Sequence, residues 1–181
     1  MRLTTAGYVG LALDLFGKVA RDREEAQALA GEAMKHPGVV RARYDAAMAV
    51  LKAQPQVDTS RIGVIGYCFG GSVALELVRA GLQVSAVATF HAALAPHREP
   101  AQKGNVVPRI LVATGGADPL VPKAQVEELE KEMKGAGADF KVVVYPNAKH
   151  SFTNPDAGKA GMSALAYDAE ADKKSWALAA V

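Results

Sequence analysis

The chain has 181 residues, half of them hydrophobic and 22% charged, with 21 Lys and Arg against 19 Asp and Glu. This length suits one domain spanning residues 1–181, and the composition excludes a disordered or collagen-like chain. A net charge of +2 without a basic block indicates neither nucleic acid nor an anionic membrane, and no apolar run approaches bilayer length, so a cytoplasmic protein is expected.

The opening MRLTTAGYVG lacks the charged region, apolar core and cleavage site of a secretory leader. A first strand is predicted over 8–13 (YVGLAL). Helices are predicted over 22–34 and 39–53, separated by His36-Pro37-Gly38. A second strand, 61–66 (RIGVIG), is followed by a helix over 70–79, then by strands over 84–90 (VSAVATF) and 109–114 (RILVAT). From Val126 the apolar positions Leu129 and Met133 recur at helical spacing, Glu127 to Lys131 and Glu130 to Lys134 supply outer-face pairs, and Gly135 and Gly137 end the helix. A last strand over 140–145 (FKVVVY) precedes an Ala-rich stretch, 157–180, expected to be largely helical. Strands alternating with helices, several of them apolar on both faces, predict an α/β fold whose mostly parallel sheet is covered on both sides.

One cysteine can form neither an intramolecular disulfide nor a cysteine-based metal cluster, so Cys68 is either a small core residue or a reactive thiol. Its setting favours the thiol. Gly66-Tyr67-Cys68-Phe69-Gly70-Gly71 lies between a predicted strand and a predicted helix, the G-x-nucleophile-x-G arrangement with Cys in place of Ser. A nucleophile on so tight a turn requires small residues two before and two after it, here Gly66 and Gly70. Aligned N–H groups at the helix start favour a thiolate, and the Phe69 N–H can donate to a developing oxyanion. A phosphate-binding loop is the weaker alternative, because the glycines at 63, 66, 70 and 71 do not spell G-x-G-x-x-G and no G-K-[ST] follows.

A thiol nucleophile needs a base, and the base an orienter. Asp118 follows the strand RILVAT and His150 follows FKVVVY, so in a parallel sheet both meet Cys68 at the strands' carboxyl edge. The order nucleophile, acid, histidine is that of α/β-hydrolases. Taken singly, Asp118 could be a turn-former before Pro119 and His150 a surface loop residue. His36, between helices, is a remote rival base. His91 and His97 read as structural or substrate-facing, since no carboxylate or histidine spacing suggests a metal site.

These residues resemble the dienelactone hydrolase family of α/β-hydrolases. The likeness is carried by GYVGLALDLFGK at 7–18, RIGVIGYCFGGSVALEL at 61–77, VATFHAAL at 87–94, RILVATGGADPLVP at 109–122, YPNAKHSFTNP at 145–155 and YDAEADKKSW at 167–176. The resemblance implies an α/β-hydrolase-like three-layer sandwich and hydrolysis of activated esters or lactones, as by a carboxymethylenebutenolidase. It implies Cys68 as nucleophile, His150 as base and then acid, Asp118 as orienter and no cofactor. Tyr67, His91, Phe152, Lys18 and Asn154 are the substrate-binding candidates. Lys18 and Asn154 stand where family members acting on dienelactone place arginines, so a different substrate is expected.

Against the family pattern, the initial strands and an H-E-x-x-G loop carrying a second oxyanion donor are missing, and Leu3-Thr4-Thr5-Ala6-Gly7 reads as the end of the helix after that loop. An N-terminally truncated sheet, open beside the 61–66 strand, is therefore expected. One missing oxyanion donor slows turnover about a hundredfold. The runner-up reading is a weak or inactive homologue that binds a ligand or self-associates, and an open strand flank favours a homodimer.

Overall fold

The computed structural model describes residues 2–180, which divide into two compact units, 2–60 and 61–180. The first unit is helical. Helix α1 (Arg2–Thr5) ends at Gly7, whose φ of 83° suits only a residue without a Cβ. Helix α2 (Arg23–Lys35) starts where Asp22 stops it from the side: the carboxylate accepts the Glu25 N–H at 2.8 Å, so Asp22 is the cap rather than the first helical residue. Helix α3 (Pro37–Lys52) begins two residues earlier than expected, with Pro37 in the first turn where its missing N–H costs nothing. It buries Val40 and Tyr44.

The strand expected over 8–13 does not form. Those residues are irregular, with Tyr8, Val9 and Leu11 exposed. The run has strand composition, but a strand exists only through a ladder to a neighbour, and YVGLAL has none among the described residues.

The second unit holds a four-stranded parallel sheet in the order β1 (Gly63–Tyr67), β2 (Ala86–Phe90), β3 (Arg109–Gly115), β4 (Phe140–Tyr145). Register pairs Ile65 with Ala88, Ala88 with Leu111, and Ala113 with Val143. One face therefore carries Ile65, Ala88, Phe90, Leu111, Ala113, Val143 and Tyr145, which pack with Phe152 and with Ala171 and Ala179 of helix α6 (Ala169–Ala179). The opposite face carries Thr89 and lies against helix α4 (Phe69–Arg79), where Gly71 approaches the Thr89 side chain. Most of α4 is buried, which its near-continuous apolar sequence requires. Helix α5 (Lys123–Ala136) buries Leu129, Met133 and Ala136, one helical stripe, and ends at Gly137 in the left-handed conformation.

The stretch 157–180 is not one helix. A 3-10 turn, Ala157–Ala160, stops at Gly161 (φ 67°), and α6 starts only after Asp168, whose carboxylate accepts the N–H groups of Glu170 and Ala171. Alanine favours helix, but the left-handed glycine and the aspartate cap override it. No helix among the described residues is long and apolar enough to cross a membrane.

Candidate active site

Cys68 sits on the turn between β1 and α4 with φ 49° and ψ −119°, a strained backbone for a residue with a Cβ. The turn is held from both sides. The Cys68 N–H donates to the Phe90 carbonyl at 3.0 Å, while the Cys68 carbonyl accepts the N–H groups of Gly71 and Ser72 at 3.0 and 3.1 Å. A Cβ on Gly66 would lie 2.5 Å from the Gly70 carbonyl oxygen, and one on Gly71 would lie 2.7 Å from the Ala92 side chain. The glycine requirement thus falls on positions 66 and 71. Gly70, expected to be the second tight position, has open space around its Cα because the helix has already turned away. Cys68 keeps exposure to solvent and is not a core residue.

Two further turns converge on that thiol. Gly115 and Gly116 end β3 against the turn after β4: their Cβ atoms would lie 2.2 Å from the Ala148 carbonyl oxygen and 2.8 Å from that of Pro146. Only glycines permit this approach, and the Ala117 N–H to Ala148 carbonyl bond at 3.0 Å fastens it. It places the Asp118 carboxylate on the His150 ring: Nδ1 lies 2.8 Å from Asp118 Oδ2, and Nε2 lies 3.1 Å from Cys68 Sγ. The other carboxylate oxygen of Asp118 accepts the Leu120 N–H at 2.8 Å, so the acid cannot swing away without losing two bonds. The His150 backbone is clasped by Ala164 and Ala166.

The charges follow from these contacts. The hydrogen bond from His150, opposed by burial, lowers the Cys68 pKa, and the Phe69 N–H adds to the lowering. Burial pushes His150 down, but the bonds to Asp118 and Cys68 outweigh it and hold the imidazolium up to about 9. Both shifts work in one direction, toward a thiolate beside an imidazolium.

His91, at the end of β2, lies edge-on to His150 with ring centroids 5.1 Å apart and adopts φ 41°. Burial, together with the His150 charge, lowers its pKa to about 4, so it is neutral where His150 is charged. Its Nε2 contacts Thr153 Oγ1 at 2.8 Å. Tyr67 stacks on Phe90 and stands near His91. Phe152, expected to face a substrate, is wholly buried between Tyr145 and His91, because its ring fills the core under the sheet. Asn154 is an exposed turn residue whose side chain accepts the Asp156 N–H. Lys18 lies in the first unit, paired with Glu25. Sequence reasoning missed Thr153, which is 62 residues from His91 and gives no local signal.

The model of the dienelactone hydrolase family matches residues 1–180 of this chain. An uncharacterized protein of Caenorhabditis elegans, K02A2.1, is 34% identical over 77% of the chain and 89% of its own length. Among solved structures, m3DLH superposes with a TM-score of 0.90 at 39% identity, covering 98% of this chain and 75% of its own. The dienelactone hydrolase-like promiscuous phosphotriesterase P91, from metagenomic libraries, superposes with a TM-score of 0.86 at 37% identity, covering 99% of this chain and 75% of its own. A relative from Methylorubrum extorquens, 29% identical over 83% of this chain, is longer, and the chain spans 56% of it.

Proposed function

The chain belongs to the dienelactone hydrolase family, and from that premise we propose that it hydrolyses activated esters or lactones through Cys68. The observation that carries this reading is the chain of contacts from Asp118 through His150 to the thiol of Cys68, a solvent-accessible residue with a strained backbone. The Cys68 thiolate attacks the carbonyl carbon, and the oxyanion that develops is met by the Phe69 N–H at the start of α4. Collapse breaks the carbon–oxygen bond to the leaving alkoxide, which takes the proton from His150 Nε2 and leaves a thioester. Neutral His150 then takes a proton from water as its oxygen attacks the thioester. Expulsion of the thiolate releases the acid and restores the charged pair.

A thiolate leaves readily, which suits oxygen esters with good leaving groups and disfavours amides. The likeness to a promiscuous phosphotriesterase favours a second substrate class, an activated phosphotriester attacked at phosphorus by the same thiolate.

Cys68→Ala is expected to abolish p-nitrophenyl ester turnover while circular dichroism and thermal unfolding stay as in the parent. Turnover persisting in that variant removes the assignment. Alkylation separates the enzyme from a non-catalytic homologue. Rapid modification with an inflection well below the free-thiol value near 8.5 is expected of the enzyme, and slow modification at the ordinary thiol pH of the homologue.

A further inference from the structure

Cys68, His91 and His150 arrive from three different turns, yet the thiol sulfur and one ring nitrogen of each histidine all lie within 4.8 Å of one another. Within this set His91 is anomalous. It is 3% exposed, and among the described residues no other residue gives its Nδ1 a hydrogen-bond partner. In the tautomer that donates Nε2–H to Thr153 Oγ1, Nδ1 keeps a lone pair for a ligand. His150 has the same construction in mirror form, with its Nδ1–H donated to Asp118 and Nε2 directed at the sulfur.

We propose that this cluster is a zinc site in which Cys68 Sγ, His150 Nε2 and His91 Nδ1 are three ligands and water the fourth. One thiolate and two imidazoles suit a borderline-soft divalent ion, and three protein ligands leave the fourth position open. Each imidazole has its other nitrogen fixed by an oxygen, Asp118 for His150 and Thr153 for His91, the outer shell that orients ligating histidines. Tetrahedral zinc holds such ligand atoms about 3.5 Å apart. The sulfur–His150 pair, at 3.1 Å, opens slightly, and a separation at the 4.8 Å limit closes by about 1.3 Å.

The site uses the thiol and imidazole assigned above to hydrolysis, so zinc occupancy and turnover exclude each other, and zinc acts as a reversible inhibitor. Binding itself needs only the three ligand atoms and does not rest on the hydrolase reading.

The test titrates the untagged chain with zinc chloride against a fluorescent chelator. One zinc per chain is expected, with affinity reduced tenfold or more in His91→Gln, as also in Cys68→Ser, and unchanged in His36→Gln, whose histidine is on the surface. Zinc is also expected to slow Cys68 alkylation, and chelation to restore it. X-ray absorption of the zinc-loaded parent keeps the proposal falsifiable if His91→Gln does not fold: one sulfur and two imidazoles are expected. The proposal is overturned by no zinc bound at equimolar concentration, by affinity that survives both ligand substitutions, or by a shell with a single imidazole. Because none of these readouts requires an ester, failure here leaves the hydrolase reading standing, and an inactive chain that binds zinc leaves this one standing.

Discussion

Among the described residues other than glycine, three have positive φ: Cys68, His91, whose ring meets that of His150, and Ser151, which follows His150. Strain concentrated there is what a scaffold stores when it must present side chains in a fixed constellation. The consequence for activity is a bell-shaped profile in the metal-free protein. The thiolate forms below its ordinary range because of His150, and the imidazolium keeps its proton up to about 9, so the working pair exists between those two limits. The descending limb of kcat/KM is expected near that upper value. Asp118→Asn removes the group that supports the imidazolium, so this limb moves to lower pH and kcat/KM falls by roughly 10²-fold. A descending limb that stays in place in Asp118→Asn contradicts the role given to this carboxylate.

At the scale of elements, the helix that carries Cys68 is itself anchored at its far end. Arg79, almost fully buried in the last turn of α4, donates to both carboxylate oxygens of Glu132 on α5, to Glu76 and to the Leu94 carbonyl, each at 2.8 Å. Glu132 also accepts the Ala101 N–H at 2.7 Å. Truncating one partner of such a network leaves a buried charge uncompensated. Arg79→Ala is therefore expected to cost about 3–5 kcal/mol in urea unfolding, whereas removal of an exposed pair such as Lys123–Glu127 costs under about 1 kcal/mol. Equal effects of the two substitutions would contradict the anchoring role. Nothing in the sequence singles out Arg79, which ends a helix like any last-turn cation. Its partners stand 3, 15 and 53 residues away, and only folding aligns them. The same limit explains His91 and Thr153. Cys68, Asp118 and His150 were legible because each follows a strand of a parallel sheet, so topology alone brings them together. His91 follows a strand too, but its neutral state depends on burial against Phe152, and its ring is held by a hydroxyl from another turn.

For the whole molecule, the expected pattern of alternating strands and helices is observed in residues 61–180, while the strand expected at 8–13 is not. Composition reports that a segment suits a sheet, not that the sheet has an edge to receive it. This bears on association. Among the described residues no strand pairs with the outer side of β1, and GVIGY contains neither a charged residue nor a proline, the residues that discourage edge pairing. The other terminal strand, FKVVVY, carries Lys141. A second copy of the same chain meets β1 at equal concentration with an identical edge, so a twofold dimer through this strand is the expected assembly. Light scattering is then expected to give about twice the chain mass of 18.9 kDa, and Val64→Lys, which puts a charge on this strand in each copy, to return the chain mass. A parent chain that scatters as a monomer at tens of micromolar shows that the β1 edge is not used in this way.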